Sequence, residues 1–468
     1  MSLRIMRDKG IITEAEFESA QHDLAETAGT RVSSETSVVV GKWSTTLYGF
    51  IEADSIYDTT RSFNDLAGAS PIGLWNTTAG ANSRVQFSIR NSRLGFRLRA
   101  PEYHEVRLSG QIETDFLGTQ LAIPSSPYSN TISPSPYGTE NTYFSSPVLR
   151  VRHMNLKVET PVVDVLFGQY WTLFGWSSGY QPNTVEYQGV PGEVYNRQVQ
   201  FRVSKKLTAD PISVELAVAA FRPAQRDSGT PDGQAGLKFS IDSWTGMQTT
   251  GATGTQLSPF SLAVSGLLRH VAVNDFNAAS TNTNTQDLTM SAIAVDGFIP
   301  VIPASKDNKD NAFSVHGEFT SGYGDEDMFT NLGAAGTSYP AIPGVTSGTG
   351  TKTYATDIDP GIVQFDGKGG LHGIQWTTYL FGGEYHLPGT DGKLFVSGNY
   401  SHMESANSHY YGSAAGTLAA VDWFDANIFV DPVPGLRLGV EYANFNDCYV
   451  NGIHAIDHRG QFSGFYIF

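Results

Sequence analysis

The sequence predicts an all-β protein, a transmembrane antiparallel β-barrel of about sixteen strands preceded by a short N-terminal helix. Three observations predict it. Apolar and polar residues alternate over many short segments, long and short connections alternate between those segments, and the composition lacks what the competing fold classes need.

The 468 residues include 49 glycines, and 12% are aromatic against only 16% charged. That balance is unusual for a soluble enzyme of this size. With 40% hydrophobic residues, no stretch approaches the roughly 18 uninterrupted apolar residues of a spanning helix. Even the richest run, Ala292 to Ala304, is broken by Asp296, Pro300 and Pro303. A formal net charge of -16 argues against nucleic acid as a partner, because neutralising phosphates takes a basic surface. The single cysteine, Cys448, excludes an internal disulfide framework and a Cys-based metal site. The opening "MSLRIMRDKG" carries no apolar h-region of a secretory signal, so the start is expected to be either a truncated reading frame or that of the mature chain.

Residues 11 to 40 differ from the rest. Thr13 as N-cap with Glu16 makes a capping box, and Phe17, Ala20 and Leu24 share one helical face, which predicts an amphipathic helix from about Glu14 to Thr27. "RVSSETSVVVGK" reads as a linker.

From Thr46 the period becomes two. In "TLYGFIEADSIY" the residues Leu47, Gly49, Ile51, Ala53 and Tyr57 oppose Tyr48, Glu52 and Asp54. In "EVRLSGQIETDF" Val106, Leu108, Ile112 and Phe116 oppose Arg107, Gln111, Glu113 and Asp115. Similar segments recur to the one beginning near Arg459, and an even number lets both ends return to one side of a membrane. The connections 58 to 84, 117 to 147, 172 to 196 and 322 to 370 are long, whereas "APEYH", "ETPV" and "DPVPG" are short. Strict alternation of this kind is expected of a barrel with loops on one rim and turns on the other. The stretches 242 to 258 and 300 to 311 break it, being long for turns. The chain ends on Phe468, on the same face as Tyr466 and Phe462, suited to an interfacial aromatic girdle.

"TTLYGFIEADSIYD", "NSRLGFRLRAPE", "LSGQIETDFLG", "LRVRHMNLKV" and "VLFGQYWTLFG" resemble the first five strands of trimeric Gram-negative porins, and "PNTVEYQGVPGEVYNRQVQFRVS" resembles the DcaP-like porins. The likeness covers most of residues 46 to 203 and the C-terminal strand. It implies a homotrimeric outer-membrane channel among lipid and lipopolysaccharide, with residues 1–45 a periplasmic helix and linker, 46–468 the barrel, and the third loop, about 172–196, folded into the lumen. It also implies passive diffusion of small polar solutes, with dicarboxylates and similar anions favoured.

The chemistry of such a pore is the electrostatics of its wall. On the polar strand faces the sequence places Arg93, Arg97, Arg107, Arg150, Arg152 and Arg202, a candidate basic ladder of groups that grip carboxylates bidentately. Glu52, Asp54, Glu113 and Asp115 on the wall, with Glu186 and Glu193 in the third loop, are the candidate acidic partners. Barrel interiors also carry paired charges merely because they are polar, and for any single residue that explanation weighs as much. Trp171, Phe174, Trp176, Tyr180 and Tyr187 fit a loop packed on the wall better than an aromatic slide. "GDEDMF" at 324 to 329 reads as a solvated loop rather than a cation site, and Cys448 as a small neutral residue in the last long connection. No GxSxG, HExxH or CxxC motif is present, so no enzyme, cofactor or metal is expected. A barrel enzyme of lipase or protease type, or a plugged barrel serving adhesion, are the alternatives.

Overall fold

The computed structural model describes residues 13, 36–40, 43–68, 71–118, 147–186, 189–226, 228–274, 285–330, 332, 346–347, 350–351, 358–359, 361–366, 370–410 and 417–468. Sixteen staves form one closed antiparallel barrel. They are β1 (Trp43–Asp58), β2 (in two pieces, Arg84–Ser88 and Arg93–Arg99), β3 (Arg107–Asp115), β4 (Arg150–Glu159), β5 (Asp164–Trp171), β6 (Arg197–Ala209), β7 (Ile212–Phe221) and β8 (Asp232–Thr250). There follow β9 (Gly254–Asn274), β10 (Thr285–Ile302), β11 (Phe313–Tyr323), β12 (Gln375–His386), β13 (Leu394–Glu404), β14 (Leu418–Val433), β15 (Leu436–Tyr449) and β16 (His454–Ile467). Each pairs with the next, and β16 returns to β1 in a register running from Phe50↔Ile467 to Asp58↔Arg459.

The alternation read from the sequence is the alternation of the wall, with the usual sense of burial reversed. On β1, Ile51 and Tyr57 are exposed while Glu52, Asp54 and Asp58 are buried. On β12, Tyr379 and Phe381 point out while Thr378 and Glu384 point in. Exposed Phe87, Phe167, Val218, Leu268 and Ile428 continue the apolar outer belt. A contiguous apolar surface around a polar interior is stable only where the surroundings are themselves apolar, each large side chain gaining roughly 1.5–3 kcal/mol on leaving water.

Three features depart from the sequence reading. Thr36–Val40, read as linker, is a strand paired with the first residues of β1, from Thr36↔Leu47 to Val40↔Trp43. Cys448 is not in a connection but on β15, opposite Ala420 and His454, because the last loop is only the turn between Tyr449 and His454. The stretch 242–258 is not an extended turn but a continuation of β8 and β9, turning between Thr250 and Gly254. The helix expected over Glu14–Thr27, and Tyr187, lie outside the described residues.

The seam between first and last staves is completed by the terminal residue, since Gly49 N–H donates to the Phe468 carbonyl and Phe468 N–H to the Gly49 carbonyl, both at 3.0 Å. Deleting Phe468 removes two backbone bonds, about 2 kcal/mol at a net worth of about 1 kcal/mol each, together with the terminal aromatic. The yield of heat-modifiable folded barrel should fall and its unfolding midpoint drop; an unchanged yield and midpoint would show that the seam closes without it.

Candidate functional site

Several predicted residues meet on the wall formed by β2, β3 and β4. Asp115 accepts from Arg150 Nη2 at 2.6 Å and Nε at 3.0 Å, and from Arg152 Nη1 at 3.1 Å. Glu113 accepts from Arg152 Nε at 2.8 Å and from the Tyr48 hydroxyl at 2.9 Å, with Arg93 Nε 3.6 Å away. Arg150 and Arg152 are therefore pinned by carboxylates of the adjacent strand. Arg97 lies two inner positions along from Arg93, beyond Gly95, with its guanidinium 4.0 Å from the Tyr48 ring centroid. Tyr48 lies over Gly95, where a Cβ would stand 2.3 Å from the ring.

The remaining predicted residues are dispersed. Arg107 sits at the turn rim, its side chain 66% exposed and 3.6 Å from Glu159. Arg202 donates to Gln200 Oε1 and to the Trp171 carbonyl. Asp54 accepts from the Ser463 hydroxyl at 2.6 Å, and Glu52 is buried beside it on β1 with its N–H donating to Ser92 Oγ. Glu186 meets Arg459 Nη1 at 3.1 Å, and Glu193 accepts from Val190 N–H at 3.0 Å.

The connection 172–196 lies inside the barrel, and buried side chains from strand after strand take up its backbone groups. Gln234 Oε1 accepts from Leu173 and Phe174 N–H, Glu441 Oε2 from Val185 and Glu186, and Glu318 Oε1 from Val194. Ser397 and Asn399 donate to the Asn183 carbonyl, and Ser401 to that of Pro191. An irregular buried segment needs such partners for every peptide group. Phe174, Trp176 and Tyr180 are buried against the wall, the last donating to Ser261 Oγ at 2.9 Å. "GDEDMF", expected to be solvated, is packed inward: Asp325 and Glu326 are fully buried, Asp327 binds Arg269 at 2.6 Å, and Met328 and Phe329 join the cluster holding Phe174 and Val194. Burial pushes the Asp325 carboxyl up to about 7.

Most of the loop's anchors lie on β8, β9 and β11–β16, with Arg152 on β4 donating to the Tyr195 hydroxyl at 3.2 Å, and open space remains beside β2–β7. A cavity of about 330 Å³ is lined by Arg97, Arg99, Lys157, Arg202 and Lys238 against only two carboxylates, Asp164 and Glu215. Lys157 is held by Glu159 and Asp164 at 3.0 and 3.2 Å. Arg202 and Lys238 form no ion pair among the described residues; Lys238 faces the Tyr180 ring at 5.3 Å. A second cavity of about 420 Å³ shares Arg97, Tyr170 and Ser178 with the first. Lys238 was not singled out from the sequence, although its position in the alternation of "GLKFS" puts it on the inner face.

Glu186 lies on the loop, outside the spanning strands. Burial pushes its carboxyl up to about 8; Arg459 pulls the other way, while Glu441, Asp54 and Asp65 add to the rise. The docked loop thus binds this proton more tightly than a free carboxyl at about 4.3 does, and the resulting stabilisation is full below that value and lost as pH rises through about 8. Between pH 7 and pH 9 docking should weaken about tenfold. Amide exchange at Val185 and Glu186 should then quicken beyond its intrinsic base-catalysed rise, and Glu186→Gln should abolish the excess; an equal pH profile in both proteins rules the linkage out.

No family model matches the chain, and no curated protein matches it. Among solved structures, it is similar to the outer membrane channel DcaP of Acinetobacter baumannii at 18% identity over 94% of this chain and 100% of that one, with a TM-score of 0.63. Salmonella typhi OmpF, solved with daunomycin, matches at 10% identity over 92% of this chain and 100% of that one, with a TM-score of 0.51. The likeness is one of fold: the chain is a closed antiparallel barrel built as the DcaP channel and, more loosely, OmpF are built.

Proposed function

We propose that the protein is an outer-membrane porin, a homotrimer set among lipid and lipopolysaccharide, through which small polar solutes diffuse passively with a preference for small anions such as dicarboxylates. The observation that carries the reading is the cavity wall on which Arg97, Arg99, Lys157, Arg202 and Lys238 face two carboxylates. Cations set in low-dielectric walls focus their field on the aqueous path between them and raise the local concentration of anions. The apolar outer belt suits a bilayer, and the similarity to the outer membrane channel DcaP suits the outer membrane. The twelve residues proposed from the sequence divide into several groups in this reading. Arg93, Arg97 and Arg202 face the solute, whereas Arg150, Arg152, Glu113 and Asp115 hold one another in place. Glu186 and Glu193 belong to the third loop, Glu52 and Asp54 face the lumen from β1, and Arg107 marks its periplasmic mouth.

In a planar bilayer the channel should be anion-selective, and replacing Arg97, Arg202 and Lys238 by Gln should lower the anion-to-cation permeability ratio by roughly three- to tenfold at 0.01 M salt, where the Debye length is about 30 Å. Dicarboxylate uptake should fall in parallel. A reversal potential that stays put in an open variant channel sinks the anion preference.

The orientation has its own test. In a Cys448→Ala background, Trp75→Cys on the long-loop rim should react with an impermeant reagent on intact cells, and Pro434→Cys on the turn rim should not. The opposite pattern would invert the barrel and the proposed periplasmic N-terminus with it.

A further inference from the structure

The β8–β9 hairpin does not stop at the turn rim. Its neighbours accompany it only as far as Ile241↔Ile212 on β7 and Ser261↔Phe298 on β10. Beyond those points Thr245–Thr250 and Gly254–Pro259 form a ladder only with each other, held at its base by Ala304, whose N–H donates to the Thr245 carbonyl and whose carbonyl accepts from the Thr245 hydroxyl. The register shifts between Ile241 and Thr245, and Pro259 opposite has no N–H to offer, so the ladder bends where it leaves the sheet. Trp244 fixes the bend, stacking on Phe260 at 4.7 Å and donating to the Pro300 carbonyl at 2.8 Å. Gly246 permits the crossing over the neighbouring strands: a Cβ there would stand 2.6 Å from Ser314 Oγ and 2.7 Å from Pro300 Cβ.

The tip is found on the far wall. Ala252 is fully buried in a cluster with Phe50, Phe395, Phe429 and Phe465, and its carbonyl accepts from Arg437 Nη1 at 2.8 Å. The third loop lies against the hairpin, with Gln248 Nε2 donating to the Gly179 carbonyl at 2.8 Å and Gly251 N–H to that of Pro182 at 3.0 Å. One carboxylate ties both to the wall. Glu384 on β12 accepts from Asn183 Nδ2 of the loop at 2.8 Å, and from the Thr249 N–H and hydroxyl of the hairpin, both at 2.9 Å.

We propose that the 245–258 hairpin is a second constriction element of the channel, entering from the rim opposite the third loop, and that Glu384 is the positioning residue that fixes both. The proposal rests on the channel reading. Thr250, Thr253 and Gln256 of the hairpin form an uncharged wall of the larger cavity opposite Arg93 and Arg97, so the hairpin sets both the width of the passage and how closely a solute must approach those cations. Two inward elements hung mainly on one half of the barrel leave open space beside Arg93, Arg97 and Arg202.

The test is single-channel recording on the full chain. Replacing Met247–Leu257 by a two-residue Asn-Gly turn joins positions that already pair, so the barrel ladder is kept. Conductance should rise about twofold or more and anion preference should weaken, because removing the tip widens the constriction and moves a wall away from the cations. Thr249→Val, which removes the hydroxyl bond to Glu384 and leaves the backbone N–H bond and the loop's bond, should keep the mean conductance but add open-state flicker. Glu384→Gln should add flicker and also lower selectivity. Wild-type conductance and reversal potential in a folded, heat-modifiable short-hairpin barrel overturn the proposal. Should that variant fail to fold, steady wild-type currents in both point variants overturn it. A wild-type chain that inserts but does not conduct defeats the channel reading itself, before any variant is made.

Discussion

A strand in hydrocarbon has no water to take up its N–H and C=O groups, so an open sheet edge is intolerable there and the sheet must close on itself. The pairing of β1 with β16 meets that demand here, and the rest of the molecule depends on it. Closure fixes an even number of staves, puts both strand termini at one rim, and turns the usual core inside out, so that Phe381 and Ile428 face outward while Glu384 and Asn427 face inward. It also leaves a polar interior that the apolar side chains of the wall cannot fill.

That interior is filled by backbone arriving from both rims. Irregular segments bring unpaired peptide groups with them, and the wall meets them with carboxylates and amides rather than with apolar packing: Glu441, Glu318, Glu384 and Gln234 each accept from backbone N–H groups of the loop or the hairpin. The acidic composition thus has a structural origin besides any effect on solutes. A carboxylate is the acceptor with the most lone pairs for its size, and a barrel whose lumen holds folded chain needs many of them.

The architecture was legible in the sequence because its period is two and the two faces differ in kind; Ile51 beside Glu52 and Leu108 beside Arg107 already assign inside and outside. The arginines of β2 and β4 were legible for the same reason, as were their partners Glu113 and Asp115. What the alternation could not give is distance across the lumen. Nothing local ties Arg459 to Glu186, or Glu384 to Thr249, since those contacts depend on where the loop and hairpin end up after closure. The hairpin left one trace, a connection too long for a turn, with Gly246 and Pro259 at the points where the ladder bends and crosses. Lys238 stands apart from the arginine cluster in the sequence, and in "GDEDMF" the local charge masks Met328 and Phe329, which draw the segment into the packed interior.

Most interior bonds of the loop and hairpin fall on β8, β9 and β11–β16, with Arg152 of β4 donating to the Tyr195 hydroxyl as an exception, while the cationic cavity is lined mainly by β2–β7. One arc of the cylinder is mainly scaffold and the other, in the proposed reading, is the selectivity surface. Substitutions on the second arc can retune what passes without disturbing the folds that narrow the lumen, so a barrel of this design is open to diversification of its preferred solutes by point changes along a few adjacent staves.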